Sequence, residues 1–197
     1  MITTEQIKNL RERTGISVMQ CKKALEDAGG DTEKAVAFLK KKGAEIADKK
    51  AERTLGAGIV QAYIHANGAV GAMVELNCET DFVAKNEEFK ALAYDIAMHV
   101  AAMRPEFLDE SAISDEEKAE AKKLFQEEVN KMQKPDDIKA KVMEGKLATY
   151  FGERTLMAQS FVKNPDHTIA DLVKSATQKF GEKTLVSRFA RFSVLGK

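Results

Sequence analysis

Val70, Ala72, Val74, Leu76 and Cys78 place an apolar side chain at every second position of one short segment. A period of two fits a strand with one covered face and does not fit a helix. A second apolar segment, Ile59 to His65, precedes it, after a change of character marked by Gly56 and Gly58. Between the segments, His65-Ala66-Asn67-Gly68 contains the Asn-Gly pair favoured in tight hairpins. A hairpin with one apolar face requires a layer against that face. The following residues provide it: Asn86 fits a helix cap, and Glu87 and Glu88 suit the positive helix end. Phe89, Leu92, Ala93, Ile96, Ala97 and Val100 then recur at helical spacing, and Pro105 closes the helix near Arg104. The class is therefore α+β.

The rest of the chain is arranged around that layer. Thr3 with Gln6, and Ser17 with Gln20, have capping-box spacing, and Asp31 is placed to cap a third helix. Gly15, Gly29-Gly30 and Gly43 fall where helices end, so residues 1–43 form a compact three-helix module. Residues 44–55, charged and without a clear apolar face, form a helical or frayed connector to a core domain over 56–197. Ser114 with Glu117 opens a charged helix to about Lys131, and Lys134-Pro135 separates it from a second helix, Asp136 to about Leu147. These two make a helical hairpin, about 114–148, that projects from the core. Thr168 to Phe180 reads as a further helix and Thr184 to Val194 as a third strand joining the antiparallel hairpin. Three strands with helices on one side leave a sheet face for a partner or a second copy.

Composition excludes several classes. Lys and Arg number 31, as do Asp and Glu, so binding dominated by phosphate neutralisation, and hence direct nucleic-acid binding, is not expected. No apolar run reaches the roughly 20 residues that span a bilayer, and the start has no signal pattern; a cytoplasmic protein without membrane contact is expected. Cys21 and Cys78 sit inside apolar patterns and read as buried free thiols. No Gly-rich phosphate loop or short-spaced metal-ligand pair occurs, so no cofactor or metal is expected. A nucleophilic set of Cys78, His65 and Glu75 fails because Cys78 and Glu75 lie on opposite strand faces. An enzyme is not expected.

One stretch is out of place in a purely structural reading. Cys78-Glu79-Thr80-Asp81-Phe82-Val83-Ala84-Lys85 joins strand to helix, and Phe82 stands between an acid and a charged segment. Either Thr80 and Asp81 make a turn and Phe82 packs back onto its domain, or Asp81 and Phe82 form a rigid probe for a partner. In the first interhelical turn, Arg13 is followed by Ile16 and Met19, apolar groups that three short helices do not all cover. Lys40-Lys41-Lys42 suits the negative end of its helix.

Leu10-Arg11-Glu12-Arg13-Thr14-Gly15 with Cys21-Lys22-Lys23-Ala24-Leu25, and Asn77-Cys78 before Thr80-Asp81-Phe82-Val83-Ala84-Lys85, resemble the elongation factor Ts family of nucleotide exchange factors. His99-Val100-Ala101-Ala102, Pro105-Glu106-Phe107 and Gln159 with Phe161-Val162 extend the resemblance over nearly the whole chain. It implies a UBA-like N-terminal module that docks on a partner GTPase, elongation factor Tu, in its GDP-bound and nucleotide-free forms. It implies that Thr80, Asp81, Phe82 and Val83 dislocate the partner's Mg2+, and that Arg13, Met19 and His65 contact the partner. The single hairpin-plus-helix unit resembles the family's short forms, which are homodimers. The competing function is a non-catalytic UBA-type adaptor, for which Asp81 and Phe82 are dispensable.

Overall fold

The computed structural model describes residues 2–196. Three helices open the chain: α1 (Thr4–Thr14), α2 (Val18–Asp27) and α3 (Thr32–Lys50). Strands β1 (Ala57–Ile64) and β2 (Val70–Cys78) follow, then the one-turn helix α4 (Asp81–Ala84) and the long α5 (Glu87–Met103). The helical hairpin is α6 (Asp115–Lys131) and α7 (Asp136–Gly152). A small ribbon, β3 (Ser160–Phe161) and β4 (Asn164–Thr168), leads to α8 (Ile169–Phe180) and β5 (Leu185–Ser193). Among the described residues no helix is long and apolar enough to cross a membrane.

The sheet is antiparallel in the order β1-β2-β5, so the strand from Val70 to Cys78 is central. Ala72, Val74, Leu76 and Cys78 are buried beneath α5, where Phe89, Ala93, Ile96, Ala97 and Val100 meet them. The opposite face carries Val60, Ile64, Met73 and Phe192, all exposed. That face is polarised along its length. Its apolar end lies by the hairpin turn, and at the other end Arg188 pairs with Glu75 while Ser187 donates to Asn77.

A Cβ on Gly58 would stand 2.7 Å from the Leu76 carbonyl oxygen and 3.0 Å from Asn77 Cα, both backbone atoms. On Gly71 it would meet Ile64 Cδ1 at 2.6 Å, the free end of a flexible side chain. Gly58→Ala is therefore expected to cost about 1–3 kcal/mol and Gly71→Ala clearly less, as read by urea denaturation of the two variants.

The N-terminal module closes around Leu10, Cys21, Leu25, Ala35 and Leu39. Thr3 and Gln6 form the reciprocal capping box; at Ser17 only the hydroxyl cap on Gln20 N forms. As expected, the three helices cover only one of the two apolar groups of the first interhelical turn: Ile16 is folded into the module core after Gly15, and Met19 stays outside. Other expectations are corrected. Gly43 does not end its helix: α3 continues to Lys50, and Gly43 lies where α3 crosses α8, close enough that a Cβ would stand 3.0 Å from Gln178 Oε1, the end of a flexible side chain. Lys40 therefore lies far from a helix end, and its ammonium bonds Asp166 O and Asp171 instead. The helical hairpin begins at the Ser114–Glu117 capping box as expected, but α7 runs one turn further than Leu147, to Gly152.

His99 is fully buried on α5, where its Nδ1 accepts from Val162 N at 3.2 Å and its Nε2 faces Gln159 Oε1 at 3.0 Å. Nδ1 must be unprotonated, and burial pushes the imidazole below the usual histidine range. In the unfolded chain it titrates near 6.5. Between the two pKa values the unfolded state binds more protons, so this contribution is complete above about pH 6.5 and is lost as pH falls through the folded value. Half-buried His167, shifted the same way by burial and then Lys40, adds a smaller share. Urea denaturation from pH 7.5 to 5 is expected to show falling stability, with a shallower slope in His99→Gln.

Candidate functional site

The segment after β2 is held from both sides. Thr80 caps α4, its hydroxyl accepting from Val83 N, and the single turn leaves its first two side chains in solvent and turns its last two inward. Val83 and Ala84 enter the core, whereas Phe82 is 81% exposed, the most exposed of the large hydrophobic side chains among the described residues. Asp81 is exposed beside it, and the Lys85 ammonium one turn on holds its carboxyl below the usual carboxylate range. Phe82 does not pack back onto its own domain.

The base of the turn is fixed by residues about a hundred positions away. Glu182, just past the left-handed Gly181 that ends α8, accepts from Glu79 N at 3.1 Å, Thr80 N at 2.9 Å and Thr80 Oγ1 at 2.6 Å. In return Lys183 N donates to Glu79 Oε1 at 2.6 Å, and Arg53 pairs with the same carboxylate at 3.1 Å. The Lys183 donor, then Arg53, lowers the Glu79 pKa. Cys78 Sγ donates to Thr80 O at 3.1 Å; burial raises this thiol's pKa, so it is not a poised nucleophile. Sequence reasoning missed Glu182, Glu79 and Lys183. The Gly181-Glu182-Lys183 string signals a helix end, and nothing local in it reports a partner turn across the sheet.

The remaining expected contact residues lie at two distances from Phe82. The first interhelical turn of the module stands beside the end of α8, with Gly15 near Lys179, which in turn pairs with Glu88 at the start of α5. Met19 is 76% exposed there, and Arg13 is tied to Glu33 of α3 at 2.8 Å. His65 is at the opposite end of the hairpin, because Ala57 pairs with Cys78 and Ile64 with Gly71. Seven residues of strand put it roughly 23 Å from the turn. It is exposed, and its Nδ1 meets the Tyr63 hydroxyl at 3.1 Å. Module turn and Phe82 thus share one end of the molecule; His65 does not.

A family model described as Elongation factor TS matches residues 4–196. Over 194 residues the chain is 45% identical to Elongation factor Ts of Heliobacterium modesticaldum, covering 98% of this chain and 90% of that one. It is 45% identical to the Thermosipho melanesiensis protein of the same name, with 98% and 99% covered. For Thermodesulfovibrio yellowstonii the identity is 46% over 193 residues, with 98% and 96% covered. A match of this extent, together with the motif-bearing turn built around Phe82, places the chain in the elongation factor Ts family.

Proposed function

We propose that the protein is the guanine-nucleotide exchange factor of elongation factor Tu in cytosolic translation, and not an enzyme in its own right. The carrying observation is Phe82: an aromatic ring held in solvent on a turn whose backbone is fixed from Glu182. A ring held rigidly in solvent is suited to anchor a partner, because aromatic side chains carry a large share of interface energy. In this reading the three-helix module, UBA-like in its role as a docking element, engages the GTPase domain through Arg13 and Met19. Asp81 and Phe82 then enter between two helices of that domain, near the nucleotide's Mg2+, with Thr80 and Val83 fixing the approach. His65 makes a separate contact, as its distance from the turn requires.

The energetics are adequate. An aromatic side chain buries about 150–250 Å², on the order of 4–6 kcal/mol as an upper bound. Mg2+ requires near-octahedral oxygen ligands and bridges nucleotide to protein, so a small shift of its ligands weakens both. About 1.4 kcal/mol is a tenfold loss of nucleotide affinity. Linkage makes the effect mutual: GDP with Mg2+ must weaken the factor's binding by the same factor by which the factor weakens theirs. Calorimetric titration into nucleotide-free elongation factor Tu and into its Mg2+·GDP form is expected to give much tighter binding to the former. Equal affinities would remove the exchange reading and favour the adaptor.

The exposed sheet face supports a homodimer in the same reading. Val60, Ile64, Met73 and Phe192 form an apolar surface on a three-stranded sheet whose other face is filled. A second copy laid on this face would bury both. Met73→Glu is expected to leave the fold intact and halve the mass seen by analytical ultracentrifugation. A parent that sediments as a monomer contradicts the dimer.

A further inference from the structure

Two helices end against each other beside the Phe82 turn: α3 at Lys50, and α8 at Phe180 with the left-handed Gly181 after it. The last carbonyls of a helix have no partner within it and carry the negative end of its dipole, so two adjacent ends require cations. Each segment supplies the other's. The Lys50 ammonium donates to Gly181 O at 2.6 Å, and the Lys183 ammonium donates back to Ala51 O and, at 3.1 Å, to Arg53 O. Between the two contacts stands Glu182, the acceptor for Glu79 N, Thr80 N and the Thr80 hydroxyl. Arg53, just past α3, holds the Glu79 carboxylate, and Gly56 N donates to Cys78 O at 3.2 Å. The end of α3 thus grips the Phe82 turn directly and through the Glu182 loop. The same helix carries Ala35 and Leu39 into the core of the N-terminal module and is unbroken from there to Lys50, a rise of roughly 16 Å from Leu39.

We propose that Lys50 and Lys183 are positioning residues for Phe82: by tying the Glu182 loop to the end of α3, they join the docking module and the exposed ring into one rigid body, so that capture of the module by the GTPase aims the ring. This role rests on the exchange function proposed above and adds to it the means by which one contact prepares the other. Glu182 fixes the turn to the end of α8, and the two lysines fix that end to the module's own helix. A ring on a turn free of α3 would have to be ordered after docking, and the cost of that ordering would be subtracted from the binding free energy.

The test removes both ammoniums and keeps their apolar stems: Lys50→Met combined with Lys183→Met in the full chain, beside each single change and the combination Lys50→Arg with Lys183→Arg. In the free protein, amide hydrogen exchange read by NMR at Glu79 and Thr80 is expected to quicken at least about tenfold in the double methionine variant, with the Val74 and Leu25 amides unchanged, which separates local release from global loosening. In stimulated GDP release from elongation factor Tu, each methionine change should lower the maximal rate per folded molecule about threefold and the combination at least about tenfold. The double arginine variant, which keeps a cation at each carbonyl, should stay within about twofold of the parent. Unchanged hydrogen exchange at Glu79 and Thr80 overturns the positioning role alone, as does a double methionine variant that stimulates at the parental rate in an assay where Phe82→Ala does not. A double arginine variant as slow as the methionine one overturns it as well. A parent that gives no stimulated release overturns the exchange function, and this role with it.

Discussion

Phe82→Ala is expected to slow protein-stimulated GDP release from elongation factor Tu by a factor on the order of 100, with folding stability within about 0.5 kcal/mol of the parent. The two numbers separate because the ring makes almost no contact with its own chain. At 81% exposure its loss creates no cavity, and surface substitutions of that kind are close to neutral. The same ring buried by a partner is an aromatic anchor, a class whose truncation costs about 2–4 kcal/mol, hence about one and a half to three decades. Stopped-flow release of a fluorescent GDP analogue and parallel urea denaturation of the factor give both quantities. Phe82→Leu, which keeps much of the apolar area and loses the flat ring, should fall between parent and alanine.

Glu182→Ala is the second large effect, and it works at a distance from the partner. Its carboxylate is the acceptor for two backbone donors and the Thr80 hydroxyl. Removing it leaves those donors to water and frees the turn that carries Phe82. Because the side chain is partly exposed, the stability loss is expected near 1–3 kcal/mol, while stimulated release falls at least about tenfold. Glu182→Gln, with one acceptor oxygen in place of two, should be intermediate in both. On the proposed docking by the N-terminal module, a turn that is only loosened should change the maximal release rate more than affinity for the nucleotide-free partner. A merely structural role for Glu182 would lower the amount of folded protein and leave the rate per folded molecule unchanged.

What the sequence discloses follows from how far each signal reaches along the chain. The capping boxes at Thr3–Gln6 and Ser114–Glu117 are four-residue signals, and both helices begin where these place them. The alternation from Val70 to Cys78 repeats over a whole strand and specifies the covered face. The isolation of Phe82 between charged residues left two conformations open, and the structure takes the exposed one because Val83, not Phe82, satisfies the core. Signals fail where the cause is tertiary. Gly43 has the composition of a helix stop, yet the helix passes through, packed against α8 with Gln178 Oε1 3.0 Å from the glycine's Cβ position. That Ile16 and Met19 are not both covered is legible in the turn; which of them enters the core is decided by contact. Glu182 is the sharpest case: its partners are backbone amides, which carry no sequence identity at all. The position of the last strand, beside β2 and not beside β1, is equally a matter of how α8 returns the chain to the sheet.

The most direct test of the Phe82 wedge is stopped-flow release of a fluorescent GDP analogue from elongation factor Tu in millimolar Mg2+, with the parent, Phe82→Ala and Asp81→Ala. Fast release by the parent, with a loss of order 100-fold in Phe82→Ala and a smaller loss in Asp81→Ala, is the predicted result. A parent that fails to accelerate release contradicts the exchange function, and three equal rates contradict the wedge.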